Sequence, residues 1–99
     1  MNKSVHISIV IIGYNSILFL KSLLQSINKL IVDNIRLEVI YVDDGSEDGS
    51  LEYFNGFKLN FPKIKFGFPQ NMGRVYARER GVKISRGELK ILDGQLIIK

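Results

Sequence analysis

The sequence has no cysteine, and it contains only one histidine and two prolines among its 99 residues. Without cysteine the chain has no disulfide framework, no thiolate metal site and no cysteine nucleophile, and a reducing compartment is the simpler assumption. A GxGxxG motif, a P-loop, a metal-binding histidine pair and a Ser-His-Asp order are absent as well. The enzyme classes that depend on those motifs are therefore excluded.

Long hydrophobic runs are also missing, and no apolar segment approaches the roughly 20 residues of a membrane span. The apolar run after Lys3 is interrupted by His6 and Ser8, and it does not end in the small-x-small site of a secretory signal. With 45% hydrophobic and 24% charged residues, the composition is that of an ordinary globular chain with one domain. We therefore expect a cytoplasmic protein.

The charge is unevenly distributed along the chain. The net charge is +4, but residues 1–57 carry 4 basic and 7 acidic side chains, whereas residues 58–99 carry 10 basic and 3 acidic side chains. A basic face can attract nucleic acid, an anionic membrane surface or a small phosphorylated ligand. Nucleic acid is the weakest of these partners, because aromatic residues are not interleaved with the basic residues as a stacking platform requires.

Short β-branched runs alternate with segments of helical periodicity, which predicts an α/β fold with a mainly parallel sheet. The predicted strands are residues 5–12, 37–42, 63–68 and 89–92, and the predicted helices are residues 16–29, 50–57 and 73–85. Right-handed crossovers then give a Rossmann-like half sheet of about four strands in the order 3-2-1-4, with helices on both faces.

Polar loops follow three of the predicted strands, and they meet at the carboxyl edge of the sheet, where α/β proteins bind ligands. They begin at Gly13, at Asp43 and at Asp93. Two adjacent carboxylates, Asp43 and Asp44, suit ribose hydroxyls, the amide edge of a base or a divalent cation. The same residue types also form turns and helix caps, so this pattern alone leaves both interpretations open.

Four arginines lie in or just after the third predicted helix. Arg74 and Arg78 share one face at the amino end of that helix, where backbone N–H groups and a guanidinium fork can accept a pyrophosphate. For Arg80 and Arg86 we prefer a solvated basic face. Tyr14, in the first loop, can stack on a base or cover the first helix.

Four motifs in a fixed order cover nearly the whole chain: residues 8–15, residues 42–50, Asn71-Met72-Gly73 with Ala77, Arg78 and Gly81, and residues 86–88 before Leu92-Asp93. Their order and spacing resemble the nucleotide-sugar-binding half of family 2 glycosyltransferases of the GT-A fold. The string Val-Asp-Asp-Gly-Ser-x-Asp-Gly-Ser at residues 42–50 is the most specific of the four.

The resemblance implies binding of a uridine or related nucleotide diphosphate-sugar for sugar transfer in polysaccharide synthesis. It assigns donor contacts to Gly13, Tyr14, Asn15, Asp43, Asp44, Arg74 and Arg78. In the family an Asp-x-Asp after the fourth strand carries Mg²⁺ or Mn²⁺, and the matching place here reads Asp93-Gly94-Gln95. Asp93 is therefore the expected metal ligand, although glutamine is a poorer ligand for a hard cation than carboxylate.

The family's domain is more than twice this length, and its second half supplies the acceptor site and the catalytic base. We therefore expect residues 1–99 to be a single truncated donor-binding domain that does not transfer sugar alone. The apolar tail Leu96-Ile97-Ile98 and the edge of the fourth strand then need a cover, by self-association or by a second chain. The alternative is a non-catalytic interaction or regulatory module that contacts a partner, or the inner face of a membrane, through its basic half.

Overall fold

The computed structural model describes residues 5–92 and 95–98, in which strands and helices alternate. The elements are β1 (Ile7–Gly13), α1 (Ile17–Ile27), β2 (Leu37–Asp43), α2 (Ser50–Gly56), β3 (Lys63–Gly67), α3 (Arg74–Ile84), β4 (Leu89–Leu92) and β5 (Gln95–Ile98). No helix in this part of the chain is both long enough and apolar enough to cross a bilayer.

The sheet has the order β3-β2-β1-β4-β5, so the predicted order of the first four strands is confirmed. β1 to β4 are parallel, and β5 is antiparallel to β4. Val10 of β1 pairs with Ile40 of β2 on one side and with Leu92 of β4 on the other. The carboxyl ends of β1 and β2 therefore lie side by side, as the loop argument requires.

The carboxyl-terminal tail was expected to need a cover from another chain, but it forms a fifth strand. Residues Gln95–Ile98 form β5 and pair with β4, with Leu89 opposite Ile98 and Leu92 opposite Gln95. The edge of β4 is thus covered by β5, which is the outermost strand on that side among the described residues. Whether the chain self-associates through this edge stays a prediction.

Helices cover both faces of the sheet, as predicted. On one face, α1 and α2 bury a cluster that contains Ile11 and Tyr41 of the sheet with Leu24 and Phe54 of the helices. On the other face, Ala77 of α3 packs on Val10, Ile40 and Val42. All seven residues of β2 are buried, because this strand has a neighbour on each side and helices on each face.

The two ends of helix α1 are set by contacts that the apolar spacing of the sequence does not predict. The apolar spacing continues to Ile31, but the helix ends at Ile27 and Ile31 is 91% exposed. At the other end, the Ser16 hydroxyl donates to the Tyr14 carbonyl and makes no cap. The backbone N–H of Ile17 donates instead to the Asp48 carboxylate at 3.0 Å, so a distant loop caps the helix.

Candidate functional site

A cleft of about 330 Å³ opens at the carboxyl edge of the sheet, between the loop after β1 and the start of α3. Its lining residues are Ile12, Tyr14, Ser16, Asp44, Asn71, Gly73 and Arg74. Three predicted site residues from separate segments, Tyr14, Asp44 and Arg74, therefore meet at one place. The cleft contains an aromatic ring, a carboxylate and a guanidinium, which together suit a ligand with a planar ring and an anionic group.

Asp44 joins the loops that form this cleft. Its backbone N–H donates to the Gly13 carbonyl at 2.8 Å, which ties the end of β2 to the end of β1. Its carboxylate accepts the backbone N–H groups of Met72 at 2.7 Å and Gly73 at 3.1 Å, and the Asn71 amide at 3.1 Å. The side chain is 2% exposed, and it fixes the start of α3 beside the sheet. In the sequence, the Asn71-Met72-Gly73 motif is separate from Asp44. The structure shows that this motif supplies the donors that bind the Asp44 carboxylate.

Gly45 allows this close approach of the two loops. Its φ is +78°, a left-handed conformation that favours glycine. A Cβ atom there would lie 2.4 Å from the carbonyl carbon of Gln70 and 2.5 Å from the nitrogen of Asn71. The close approach of these two loops therefore depends on the absence of a side chain at residue 45.

Asp43 lies beneath the cleft, and it is not one of the lining residues. One of its carboxylate oxygens accepts the Tyr41 hydroxyl at 2.6 Å, and the other accepts the backbone N–H of Ser46 at 2.8 Å. Burial raises the pKa of Tyr41 well above its usual range, and the hydrogen bond to Asp43 and the negative charge of Asp43 raise it further. The phenol therefore stays protonated and holds Asp43 in place. The predicted donor contact of Asp43 remains a prediction.

Asn15 connects the loop after β1 to the loop after β2. Its φ is +49°, its backbone N–H donates to the Ser46 hydroxyl at 2.8 Å, and its Oδ1 accepts the backbone N–H of Glu47 at 2.8 Å. The neighbouring Tyr14 is 49% exposed and forms one wall of the cleft. Asn15 therefore orients the loop that carries Tyr14, and its own side chain does not line the cleft.

Asp48 completes the loop after β2. It accepts the hydroxyl of Ser50 at 2.5 Å and the backbone N–H of Ser50 at 3.1 Å, in addition to the N–H of Ile17. The hydrogen bond from the Ser50 hydroxyl is the largest cause that lowers the pKa of Asp48, against a smaller opposing effect of burial. Several of the polar side chains of residues 43–50 thus shape the loop itself.

Arg74 and Arg78 border a second cavity of about 270 Å³, next to the cleft, which they share with Ile12 and Val75. Both arginines are exposed at the amino end of α3. The backbone N–H groups of Met72 and Gly73, which could have received a pyrophosphate, donate to Asp44 instead. These two N–H groups are therefore engaged within the protein, while the Arg74 and Arg78 side chains border the cavity.

Arg80 and Arg86, predicted as a solvated basic face, stay partly exposed but also make contacts within the protein. The Arg80 guanidinium lies over the Phe66 ring at 4.8 Å from its centroid. Arg86 follows the end of α3, and its guanidinium donates to the Glu38 carboxylate at 3.0 Å. Each guanidinium therefore has one partner from another part of the chain, while 60% of the Arg86 side chain remains exposed.

Glu38 forms a buried network that the sequence analysis missed. It is 0% exposed, and its Oε2 accepts the Ser8 hydroxyl at 2.6 Å and the backbone N–H of Arg86 at 2.7 Å. Burial alone raises the pKa of Glu38, but the hydrogen bonds from Ser8 and Arg86 and the charge of Arg86 outweigh it and hold that pKa below its ordinary value. The available signal was a single glutamate inside the apolar run of β2.

Asp93, the predicted metal ligand, lies outside the described residues. Within residues 5–92 and 95–98, no three His, Cys, Asp or Glu side chains are grouped so that they could hold a metal ion. The carboxylates of Asp43 and Asp44 are already used by N–H and O–H donors. The described part of the site therefore supplies no metal centre of its own.

An open, mainly parallel α/β sheet with a polar cleft at its carboxyl edge defines a Rossmann-like protein, a class that binds nucleotides at this position. Comparison with known sequences assigns the family. Residues 8–92 match the model of glycosyl transferase family 2, and the chain belongs to this family. The resemblance to the amino-terminal half of a GT-A glycosyltransferase is thereby confirmed.

The chain is similar to several glycosyltransferases. It is 37% identical to the uncharacterized glycosyltransferase YfnE of Bacillus subtilis, with 85% of this chain and 21% of that protein covered. It is 33% identical to the cholesterol galactosyltransferase of Borreliella burgdorferi, with 86% of this chain and 23% of that protein covered. The crystal structure of S. aureus TarS 1–349 matches with a TM-score of 0.79 and 25% identity over 88% of this chain and 26% of that chain. The chain thus spans about a fifth to a quarter of these proteins.

Proposed function

We propose that the chain binds the nucleoside diphosphate part of a nucleotide-sugar, as the donor-binding half of a glycosyltransferase that builds polysaccharide. The observation that carries this proposal is the meeting of Tyr14, Asp44 and Arg74 in one cleft at the carboxyl edge of the sheet. Family membership supports the same conclusion. UDP is the first nucleotide to test, because the sequence motifs resemble those of enzymes that use uridine donors.

Each of these side chains has a distinct task in the proposal. The half-exposed ring of Tyr14 stacks on the base, and the buried Asp44 carboxylate fixes the start of α3 beside that ring. Arg74 and Arg78, on adjacent turns of α3, neutralise the diphosphate. Guanidinium groups suit this task because they donate two parallel hydrogen bonds to phosphate oxygens and stay charged at neutral pH.

The proposal includes Mg²⁺ or Mn²⁺, with Asp93 as the residue of this chain that would hold it. A bound divalent cation neutralises charge that develops on the diphosphate leaving group. Transfer to an acceptor further requires a general base within hydrogen-bond reach of the acceptor hydroxyl. We propose that this base and the acceptor site come from protein beyond the matched region, either a continuation of the chain or a second chain.

Calorimetric titration with UDP and with the other nucleoside diphosphates, each with and without Mn²⁺, tests the proposal. We expect base-selective binding that Tyr14→Ala and Arg74→Gln each weaken by about tenfold, since each removes one main contact. Lys83→Gln is the matched control, because it removes one positive charge from the last turn of the same helix. Asp93→Asn should abolish any tightening by Mn²⁺.

Two results would reject the donor-site proposal. One is the absence of binding for every nucleotide, which would favour a non-catalytic interaction module. The other is binding that does not depend on the base, falls steeply with salt and is equally weakened by Lys83→Gln, because that pattern is typical of general attraction to a basic surface.

A further inference from the structure

A third and larger cavity lies at the opposite edge of the sheet from the donor cleft. It measures about 420 Å³ and is lined by Val5, Ile35, Arg36, Leu37, Phe61, Pro62 and Arg86. These residues lie at or just before the starts of β1, β2, β3 and β4. The cavity is therefore at the amino edge, about 20 Å from the donor cleft by the length of a seven-residue strand.

Two guanidinium groups border this cavity. The backbone of Arg36 is fixed by the His6 ring nitrogen, which accepts its N–H at 3.1 Å, while its side chain is exposed and pairs with no other residue in the described part of the chain. Arg86 uses one side of its guanidinium for Glu38, yet 60% of its side chain is exposed. The remaining lining residues are apolar, so the cavity combines a hydrophobic floor with two positive charges at its rim.

The chain that leads into this cavity exposes large apolar side chains. Leu30 is 46% exposed, Ile31 is 91% exposed and Ile35 is 43% exposed, all within one six-residue stretch. Single exposed apolar residues are common on proteins, but three in one short stretch, of which Ile35 also lines the cavity, are typical of an interaction surface. We call Leu30, Ile31, Ile35, Arg36 and Arg86 the amino-edge patch.

The charged residues around the amino-edge patch indicate which kind of partner it can bind. Lys29 precedes the exposed apolar residues and Arg36 follows them, while Asp33 is the single acid between those two positions. Arg86 adds a guanidinium from the other side of the cavity, with its charge partly balanced by the buried Glu38 carboxylate, so Lys29 and Arg36 supply most of the positive charge. Exposed apolar side chains flanked by positively charged residues suit a partner that has an anionic surface and an apolar interior.

We propose that the amino-edge patch binds the surface of an anionic lipid bilayer. Arg36 and the exposed side of Arg86 contact lipid phosphates, while Leu30 and Ile31 enter the boundary between headgroups and acyl chains. Because the donor cleft is at the other edge of the sheet, it stays open to solvent while the protein lies on the membrane. This inference does not rest on nucleotide binding by that cleft.

Co-sedimentation with two kinds of vesicle tests the inference. One contains phosphatidylcholine alone, and the other contains phosphatidylcholine with about one third phosphatidylglycerol. We expect binding to the anionic vesicles, reduced about fivefold by Arg36→Gln and about tenfold by Ile31→Ser, because one charge or one inserted side chain is lost. Both side chains are exposed, so both variants should fold, which circular dichroism checks.

Matched control variants distinguish binding through the amino-edge patch from nonspecific hydrophobic or electrostatic binding. Lys65→Gln removes one exposed charge from β3, and Leu18→Ser removes a 77% exposed apolar side chain from α1. Both should leave vesicle binding unchanged, and Arg36→Gln and Ile31→Ser should leave UDP titration unchanged. Equal losses in the control variants, or no binding to anionic vesicles, would overturn the proposal. Displacement by millimolar inorganic phosphate would also overturn it, since that result would identify a site for free phosphate.

Discussion

Glu38 and Arg86 are 48 positions apart in sequence, and the Glu38 carboxylate accepts both the backbone N–H of Arg86 at 2.7 Å and its guanidinium at 3.0 Å. This pairing links the start of β2 to the segment that leads into β4. The Ser8 hydroxyl joins them from β1, where it donates to Glu38 and accepts the backbone N–H of Gly87 at 2.8 Å. Three neighbouring strands are thus held together at their amino ends by one buried acid.

Replacing this acid with its neutral amide should destabilise the fold. Glu38→Gln keeps the shape but removes the charge that Arg86 faces, so we expect a loss of about 2 kcal/mol in the free energy of unfolding. Urea denaturation followed by circular dichroism measures it. The matched control is Glu79→Gln, on the exposed surface of α3, which should change stability by less than about 0.5 kcal/mol. A Glu38→Gln variant as stable as the parent would show that the charge of Glu38 makes no net contribution to the free energy of unfolding.

The same carboxylate should make stability depend on pH. The folded-state pKa of Glu38 lies below its ordinary value of 4.5, so the unfolded chain binds the proton more readily. Its stabilising contribution is therefore fully present above about pH 4.5 and is lost as the pH falls through the folded-state pKa. Urea midpoints between pH 7 and pH 3 should converge for the parent and Glu38→Gln as the solution becomes acidic. A constant difference across this range would contradict the assignment.

Gly45 and Gly49 offer a matched pair of glycines in one loop. Both have positive φ, at +78° and +85°, but a Cβ at Gly45 would collide with the backbone of residues 70 and 71, whereas nothing lies within 4 Å of one at Gly49. Gly49→Ala should cost about 1 kcal/mol of strain, and Gly45→Ala about 2–4 kcal/mol because the loops must also separate. Thermal unfolding of the two variants compares them. Equal losses would mean that the contact between the loops is not rigid.

Asn15 should act on donor affinity through Tyr14. Asn15→Ala removes the acceptor for the Glu47 N–H, which should loosen the loop and weaken UDP binding by about threefold to tenfold. Asn15→Asp retains an acceptor oxygen and should restore most of that affinity. Titration calorimetry of both variants distinguishes a positioning role from a direct contact. If Asn15 touched the nucleotide through its amide N–H₂, Asn15→Asp would be as weak as Asn15→Ala.

Strand order and helix placement could be predicted because they follow from local patterns. The β-branched runs and helical spacings are encoded within each segment, and right-handed crossovers leave little choice of topology. The meeting of the loops that carry Tyr14 and Asp44 followed from this topology, whereas the position of Arg74 in the same cleft was not part of that argument.

What could not be predicted are the partners of individual polar side chains. Asn15 bonds to residues 31 and 32 positions away, and the Asp44 side chain to residues 27 to 29 positions away, so no local pattern contains these pairs. β5 was missed for another reason. Asp93-Gly94 between apolar runs is a sequence signal for a tight hairpin, but the family resemblance assigned Asp93 to a metal, and the apolar tail was left without a partner.

The position of β1 in the sheet has a consequence for how the chain folds during its synthesis. β1 pairs with β2 across 30 residues, but it pairs with β4 across 82, with Ile7 opposite Leu89. Closing the longer loop is entropically costly, and it cannot occur before nearly the whole segment has been made. One edge of the first strand therefore stays open on the ribosome until residues 89–92 emerge, and this is the period in which a chaperone or a neighbouring nascent chain can pair with it.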